Sequence, residues 1–145
     1  MTDLVLPAAG RAPSASGARP GAATGGVGMA LRLEGALEFG LAILAYRALG
    51  GSWWVFAALF LVPDVSMIGY LGGRTLGAML YNIGHSYLSP AALAGAGWLL
   101  NAPGLYGPAL IWAAHVGFDR MLGFGLKYRT AFGATHLGIS GKPDQ

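Results

Sequence analysis

Four apolar segments separated by very short turns constrain this chain more than any other feature. They run over about residues 31–49, 52–71, 75–100 and 105–124. Each is close to the ~20 residues that an α-helix needs to cross the hydrocarbon core of a bilayer. The connections are only "GG", "GGR" and "NAPG". Turns that short join antiparallel neighbours. A soluble bundle would need a polar face on every helix, and segments two to four have almost none. The expectation is an all-α bundle of four transmembrane helices.

Composition agrees with that expectation. Only 10% of the 145 residues are charged and 54% are hydrophobic, whereas a soluble domain carries about 25% charged residues. There is no cysteine, which excludes a disulfide framework, a zinc ribbon and a thiol nucleophile. No Walker motif, nucleophile elbow or dense basic cluster is present, so nucleotide and nucleic-acid binding have no support. Residues 1–28 are rich in Gly, Ala and Pro without an apolar period, and are expected to be a disordered tail. Met29 directly precedes the ordered-looking sequence and is a candidate start. Residues 29–138 form the expected membrane domain, and 139–145 a short tail.

Orientation follows from Lys and Arg. With the N-terminus inside, Arg11, Arg19, Arg32, Arg74, Arg120, Lys127, Arg129 and Lys142 fall on one side and only Arg47 on the other. Both termini are therefore expected in the cytoplasm of a multi-pass bacterial inner-membrane protein. Trp53, Trp54 and Tyr106 would sit at the outer interface. Arg120 is expected as a cytoplasmic anchor, or as a partner for Asp119 or for an anionic headgroup. The bilayer is the first partner, and small-residue helix faces could support an oligomer.

Each span nevertheless carries ionisable groups. Glu34 and Glu38 lie four apart in segment one, and Asp64 follows Pro63 in segment two. His85 lies in segment three with Asn82 before it and Ser86 and Ser89 after it. His115 and Asp119 lie four apart in segment four. The expected topology puts all of them at similar depth. Such a group costs on the order of 3 kcal/mol at mid-bilayer unless it pairs, binds a metal or meets water. In segment three, Ala78, Asn82, His85, Ser89, Ala92 and Ala96 would share one inward face of a continuous helix.

Two imidazoles and several carboxylates suit Zn, Mn or Fe. Asp64, His85, His115 and Asp119 are the candidate ligands, with Glu34 or Glu38 as candidate general base. Asn82, Ser86, Ser89 and Arg120 are candidate supports. His136 joins the ligands only if "FGATHLG" folds back. The same groups could instead form a proton or cation relay, or simple interhelical glue in an assembly protein.

The motifs "FLVPDVSMIGYLGG", "YNIGHSY", "IWAAHVGFDRMLGFGLKY" and "FGATHLG" resemble the small bacterial membrane family numbered 4260 among the domains of unknown function. That likeness covers about residues 31–138 and implies a multi-span membrane protein. More distantly, Pro63-Asp64, His85-Ser86 and His115 with Asp119 are similar to motifs of membrane-bound metal-dependent hydrolases. Val65, Ile83 and Gly84 stand where those proteins often carry further His or Asp. This likeness implies a metal-dependent hydrolase with a cytoplasm-facing intramembrane site, acting on a lipid or similar substrate.

Overall fold

The computed structural model describes residues 22–23, 25–129 and 133–139. The protein is helical. Its α-helices are α1 (Gly25–Ala48), α2 (Trp53–Phe60), α3 (Arg74–Gly84), α4 (Leu88–Leu99) and α5 (Tyr106–Leu122). A 3-10 helix covers Val62–Gly72 and a short one Pro103–Leu105. After α5 the chain closes a two-residue antiparallel hairpin, Ala134–Thr135 with Gly138–Ile139. Most of the expected tail lies outside the described residues, but its last residues, 25–28, form the first turn of α1.

Two of the four apolar segments are not single α-helices. In segment two, Pro63 enters where α2 would continue, and it has no N–H to donate. The chain tightens there into a 3-10 helix of 11 residues, long for this geometry. It ends at Gly73, whose φ of 107° suits glycine. In segment three, Pro90 has the same authority. In an unbroken helix it would strip the donor for the carbonyl of Ser86 and clash with it. The helix instead stops at Gly84 and restarts at Leu88, so that Pro90 falls in the first turn of α4. The expected polar stripe therefore splits: Ala78 and Asn82 lie on α3, while Ser89, Ala92 and Ala96 lie on α4.

Helix α5 is central and packs against α1, α2, α4 and the 3-10 helix. It crosses α1 where Gly117 meets Gly35. A Cβ on Gly117 would lie 2.7 Å from the Phe39 nitrogen and 2.9 Å from the Gly35 oxygen. At its far end Gly123, with φ of 91°, closes a Schellman cap: its N–H bonds to the Arg120 oxygen and that of Phe124 to the Asp119 oxygen. An aromatic cluster fills the space between α1, α2 and α5. Phe56 stacks on Phe60 at 5.4 Å, and Phe118 meets both Phe60 at 5.8 Å and Phe39 at 5.4 Å.

The core mixes small apolar residues with charged or titratable ones, while large apolar side chains lie outside. His85, His115 and Arg120 are buried, whereas Leu33, Leu37, Leu41 and Leu44 form an exposed apolar stripe along α1. Trp54 and Leu71 are 86% and 90% exposed. Among the described helices, the stretch Trp53–Gly72 is long and apolar enough to cross a membrane. Helix α1 is as long, but carries Arg32, Glu34, Glu38 and Arg47.

Candidate metal centre

The break in segment three builds one half of the site. A helix end frees its last carbonyls, and buried ones need partners. Side chains supply them here. Ser89 donates to the Ile83 oxygen, Trp112 Nε1 to that of Gly84 at 2.6 Å, and Arg120 Nη2 to that of His85 at 2.8 Å. The Tyr81 oxygen accepts from both the backbone N–H of His85, at 2.8 Å, and its ring Nδ1, at 3.0 Å. Ser86 Oγ accepts from the Leu88 N–H at the start of α4. His85 is thus fixed at the end of α3 with zero exposure.

That arrangement sets its tautomer. Nδ1 faces a carbonyl and must carry a proton, so in the neutral ring Nε2 presents a lone pair. The Tyr81 ring holds the imidazole in plane, stacked at 3.8 Å and 10° from parallel. Lys127 in turn sits over Tyr81, 4.5 Å from its centroid. Burial pushes the Lys127 ammonium below the ordinary lysine range. Asn82 anchors this segment from α3: its Nδ2 donates to the Lys127 oxygen at 3.0 Å and its Oδ1 accepts from the Lys127 N–H at 2.7 Å.

Into the space before His85 Nε2 project three more donors from two other elements. His115 Nε2 lies 3.2 Å away, Asp64 Oδ1 also 3.2 Å, and Asp119 Oδ2 3.5 Å. His115 Nε2 is 3.7 Å from Asp64 Oδ1 and 3.8 Å from Asp119 Oδ2. Zinc bonds of about 2.0–2.2 Å place the donors of a tetrahedral site about 3.3–3.6 Å apart. The five separations bracket that spacing. Asp64, His85 and His115 are the tightest subset and could hold a metal ion. The two nitrogens can share one proton between them, but a cation uses both lone pairs and the Asp64 carboxylate at once. Phe60 meets the His115 ring edge-on at 5.2 Å, and His115 Nδ1 has no hydrogen-bond partner among the described residues. The Asp64 side chain is 42% exposed against 13% for Asp119, so the cluster is reached past Asp64.

Asp64, His85, His115 and Asp119 therefore meet as the sequence suggests. Glu34 and Glu38 do not join them. They line a separate cavity of about 840 Å³ between α1, α4 and α5. Of "FGATHLG", residues 133–138 are described and fold back, but His136 reaches that cavity rather than the cluster. There its Nδ1 accepts from the Leu126 N–H at 2.8 Å. Arg120 is not a free cytoplasmic anchor. It is 8% exposed, and its two terminal nitrogens bond to the oxygens of Phe124 and His85. This guanidinium stands between cavity and cluster, lining the one and bracing the other. Tyr81, Trp112 and Lys127 also build the site. Of these, only Tyr81, four residues before His85, had a signal in the spacing.

Comparison with known proteins adds a family and nothing closer. No curated protein and no solved structure matches the chain, so the likeness to membrane-bound hydrolases rests on the motifs alone. Residues 28–139 match the model described as Domain of unknown function (DUF4260), and the chain belongs to that family.

Proposed function

We propose that this is a multi-pass membrane protein with both termini cytoplasmic, and that Asp64, His85 and His115 hold a divalent metal for hydrolysis of a lipid or lipid-like substrate. One observation carries the reading: two imidazole Nε2 atoms face each other at 3.2 Å with two carboxylate oxygens beside them. Ionisable groups in an apolar setting are costly to place, and a shared cation offsets that cost at once for the two buried imidazoles and the carboxylates beside them. The exposed leucine stripe of α1 and the apolar stretch Trp53–Gly72 support the membrane setting.

Asp64, His85 and His115 would hold the ion, which when bound would supply Lewis acidity and lower the pKa of a water toward neutrality. The chain's own residues do the rest. His85 is oriented by the Tyr81 carbonyl and ring, as ligating histidines usually are by a carbonyl or carboxylate. Asp64, the most exposed of the group, borders the entrance and meets substrate. Asp119, the more enclosed carboxylate, accepts the proton of the attacking water. It takes the role that spacing alone gave to Glu34 or Glu38, because of the two carboxylates beside both nitrogens it is the farther from each, which leaves the closer Asp64 as the ligand.

Asp119→Asn tests this assignment. The variant should keep its metal and lose about 10²- to 10⁴-fold in turnover of ester and phosphodiester lipid reporters, the usual span of general-base catalysis. Wild-type turnover in the variant would remove Asp119 from the chemistry. A metal-loaded wild type that hydrolyses no reporter would sink the hydrolase reading and leave the metal site standing.

A further inference from the structure

The 3-10 segment reads as a triplet repeat: Val-Pro-Asp, Val-Ser-Met, Ile-Gly-Tyr, Leu-Gly. A 3-10 helix has three residues per turn, so side chains three apart stack in straight rows. Each position of the triplet therefore makes one row. Val62, Val65, Ile68 and Leu71 form an exposed apolar row. Pro63, Ser66 and Gly69 form the row that lies against α3. Asp64 and Tyr70 belong to the third row, which meets the site: Asp64 reaches His85, and the Tyr70 ring lies 5.3 Å from the Lys127 ammonium. In an α-helix each step of three falls about 60° short of a full turn, so Asp64 and Tyr70 would point about 120° apart. The site therefore depends on the 3-10 form being held against α3.

Two glycine contacts seat it there. A Cβ on Gly69 would come 3.3 Å from the Gly77 Cα and 3.2 Å from the Leu80 Cβ. A Cβ on Gly84 would come 3.1 Å from the Pro63 oxygen and 2.8 Å from Ser66 Oγ. The second contact joins the two sides of the cluster, because Gly84 directly precedes His85 and Pro63 directly precedes Asp64. His85 Nε2 and Asp64 Oδ1 stand 3.2 Å apart just beyond it. Hydrogen bonding does not account for the close approach: Ser66 Oγ is buried with no hydrogen-bond partner among the described residues. We propose that Gly84, with Gly69 behind it, is a positioning residue of the metal centre, whose missing side chain lets the 3-10 helix bring Asp64 within bonding distance of an ion held by His85 and His115. This role presupposes the metal site proposed above. A methyl at Gly84 must push the 3-10 helix outward, whereas metal–ligand distances are held to within about 0.2 Å.

The experiment measures affinity for zinc and manganese by chelator competition, and the thermal midpoint without metal, on purified full-length protein in detergent. Gly84→Ala should bind metal about 10- to 100-fold more weakly, the range for residues that orient ligands. Adding Ser66→Gly, which withdraws the Ser66 side chain from the contact and breaks no hydrogen bond of its hydroxyl among the described residues, should restore most of the affinity. Gly95→Ala, on α4 with open space around its Cβ, should bind as the wild type does. A merely structural role would move the midpoint of Gly84→Ala and leave its metal affinity unchanged, and that result overturns the proposal. So does a folded Gly84→Ala protein that Ser66→Gly fails to rescue. Should Gly84→Ala not fold, Gly69→Ala tests the same seating through its milder contact, and wild-type affinity there overturns the proposal. Wild-type protein that binds neither ion removes the metal site and this role together, whereas metal binding unaltered by the variants removes this role alone.

Discussion

His136 accepts a hydrogen bond that only a neutral imidazole can take. Burial first, and the Arg120 charge second, lower it from its ordinary value of 6.5. The unfolded chain then binds the proton more readily than the folded one, so the sign is fixed. The stability contributed by His136 is complete above about pH 6.5 and is lost as pH falls through the lowered folded value. Thermal melts from pH 7.5 to 4.5 should show this decline in the wild type and a shallower one in His136→Gln. Identical slopes would mean that the ring is not held neutral. The position of His136 was hidden in the sequence because it depends on how a loop after α5 returns. Asp64, His85, His115 and Asp119 were easier to read, since each is an ionisable group in an apolar segment and needs a partner. Glu34 and Glu38 obey the same rule at similar depth. Depth along a helix can be inferred from residue number, but which neighbour a face meets cannot, and α1 turns these two toward α4.

The elements owe their form to a few small or ring-locked residues. Pro63 and Pro90 break two segments that hydropathy alone reads as continuous. The breaks are tolerated because the freed carbonyls of α3 are taken up by Ser89, Trp112, Arg120 and His85. Those partners come from α4, α5 and the turn between α3 and α4; His85, Ser89 and Arg120 were candidates from the sequence, whereas Trp112 was not. The crossing of α1 and α5 is equally specific. An Ala for Gly in a helix ordinarily stabilises by up to ~1 kcal/mol. At Gly117 the sign should reverse, because the new Cβ would meet the Phe39 nitrogen at 2.7 Å. Relief of that clash moves α1 away from α5, and overpacking of this kind costs about 1–3 kcal/mol. A thermal midpoint for Gly117→Ala at or above wild type would show that the helices are not in close contact there.

For the molecule as a whole, the exposed apolar surface agrees with the proposed membrane setting. Leu33, Leu37, Leu41 and Leu44 point outward while His85, His115 and Arg120 are enclosed. Among the described helices one stretch meets the length and apolarity for crossing a membrane, and the four-span arrangement with internal termini is tested by labelling. The chain has no cysteine, so single cysteines report without background. Ser52→Cys should react with an impermeant maleimide in intact cells. Arg74→Cys and Lys142→Cys should react only after the cells are opened. Labelling of Arg74→Cys from outside would invert or abolish the proposed topology. The helical class and the order of the segments were legible from hydropathy and turns. The splitting of segments two and three lay in Pro63 and Pro90, which hydropathy ignores; the second cavity was not legible, because it arises from packing between distant parts of the chain.

The central claim is that Asp64, His85 and His115, from three elements, converge to grip a cation. Metal content of the purified protein, with His85→Ala and His115→Ala variants measured alongside it, tests that most directly. About one equivalent of zinc, manganese or iron in the wild type is expected. Both variants should lose it while remaining helical and monodisperse. Wild-type protein that takes up no divalent ion on reconstitution, or variants that retain a full equivalent, would contradict the account.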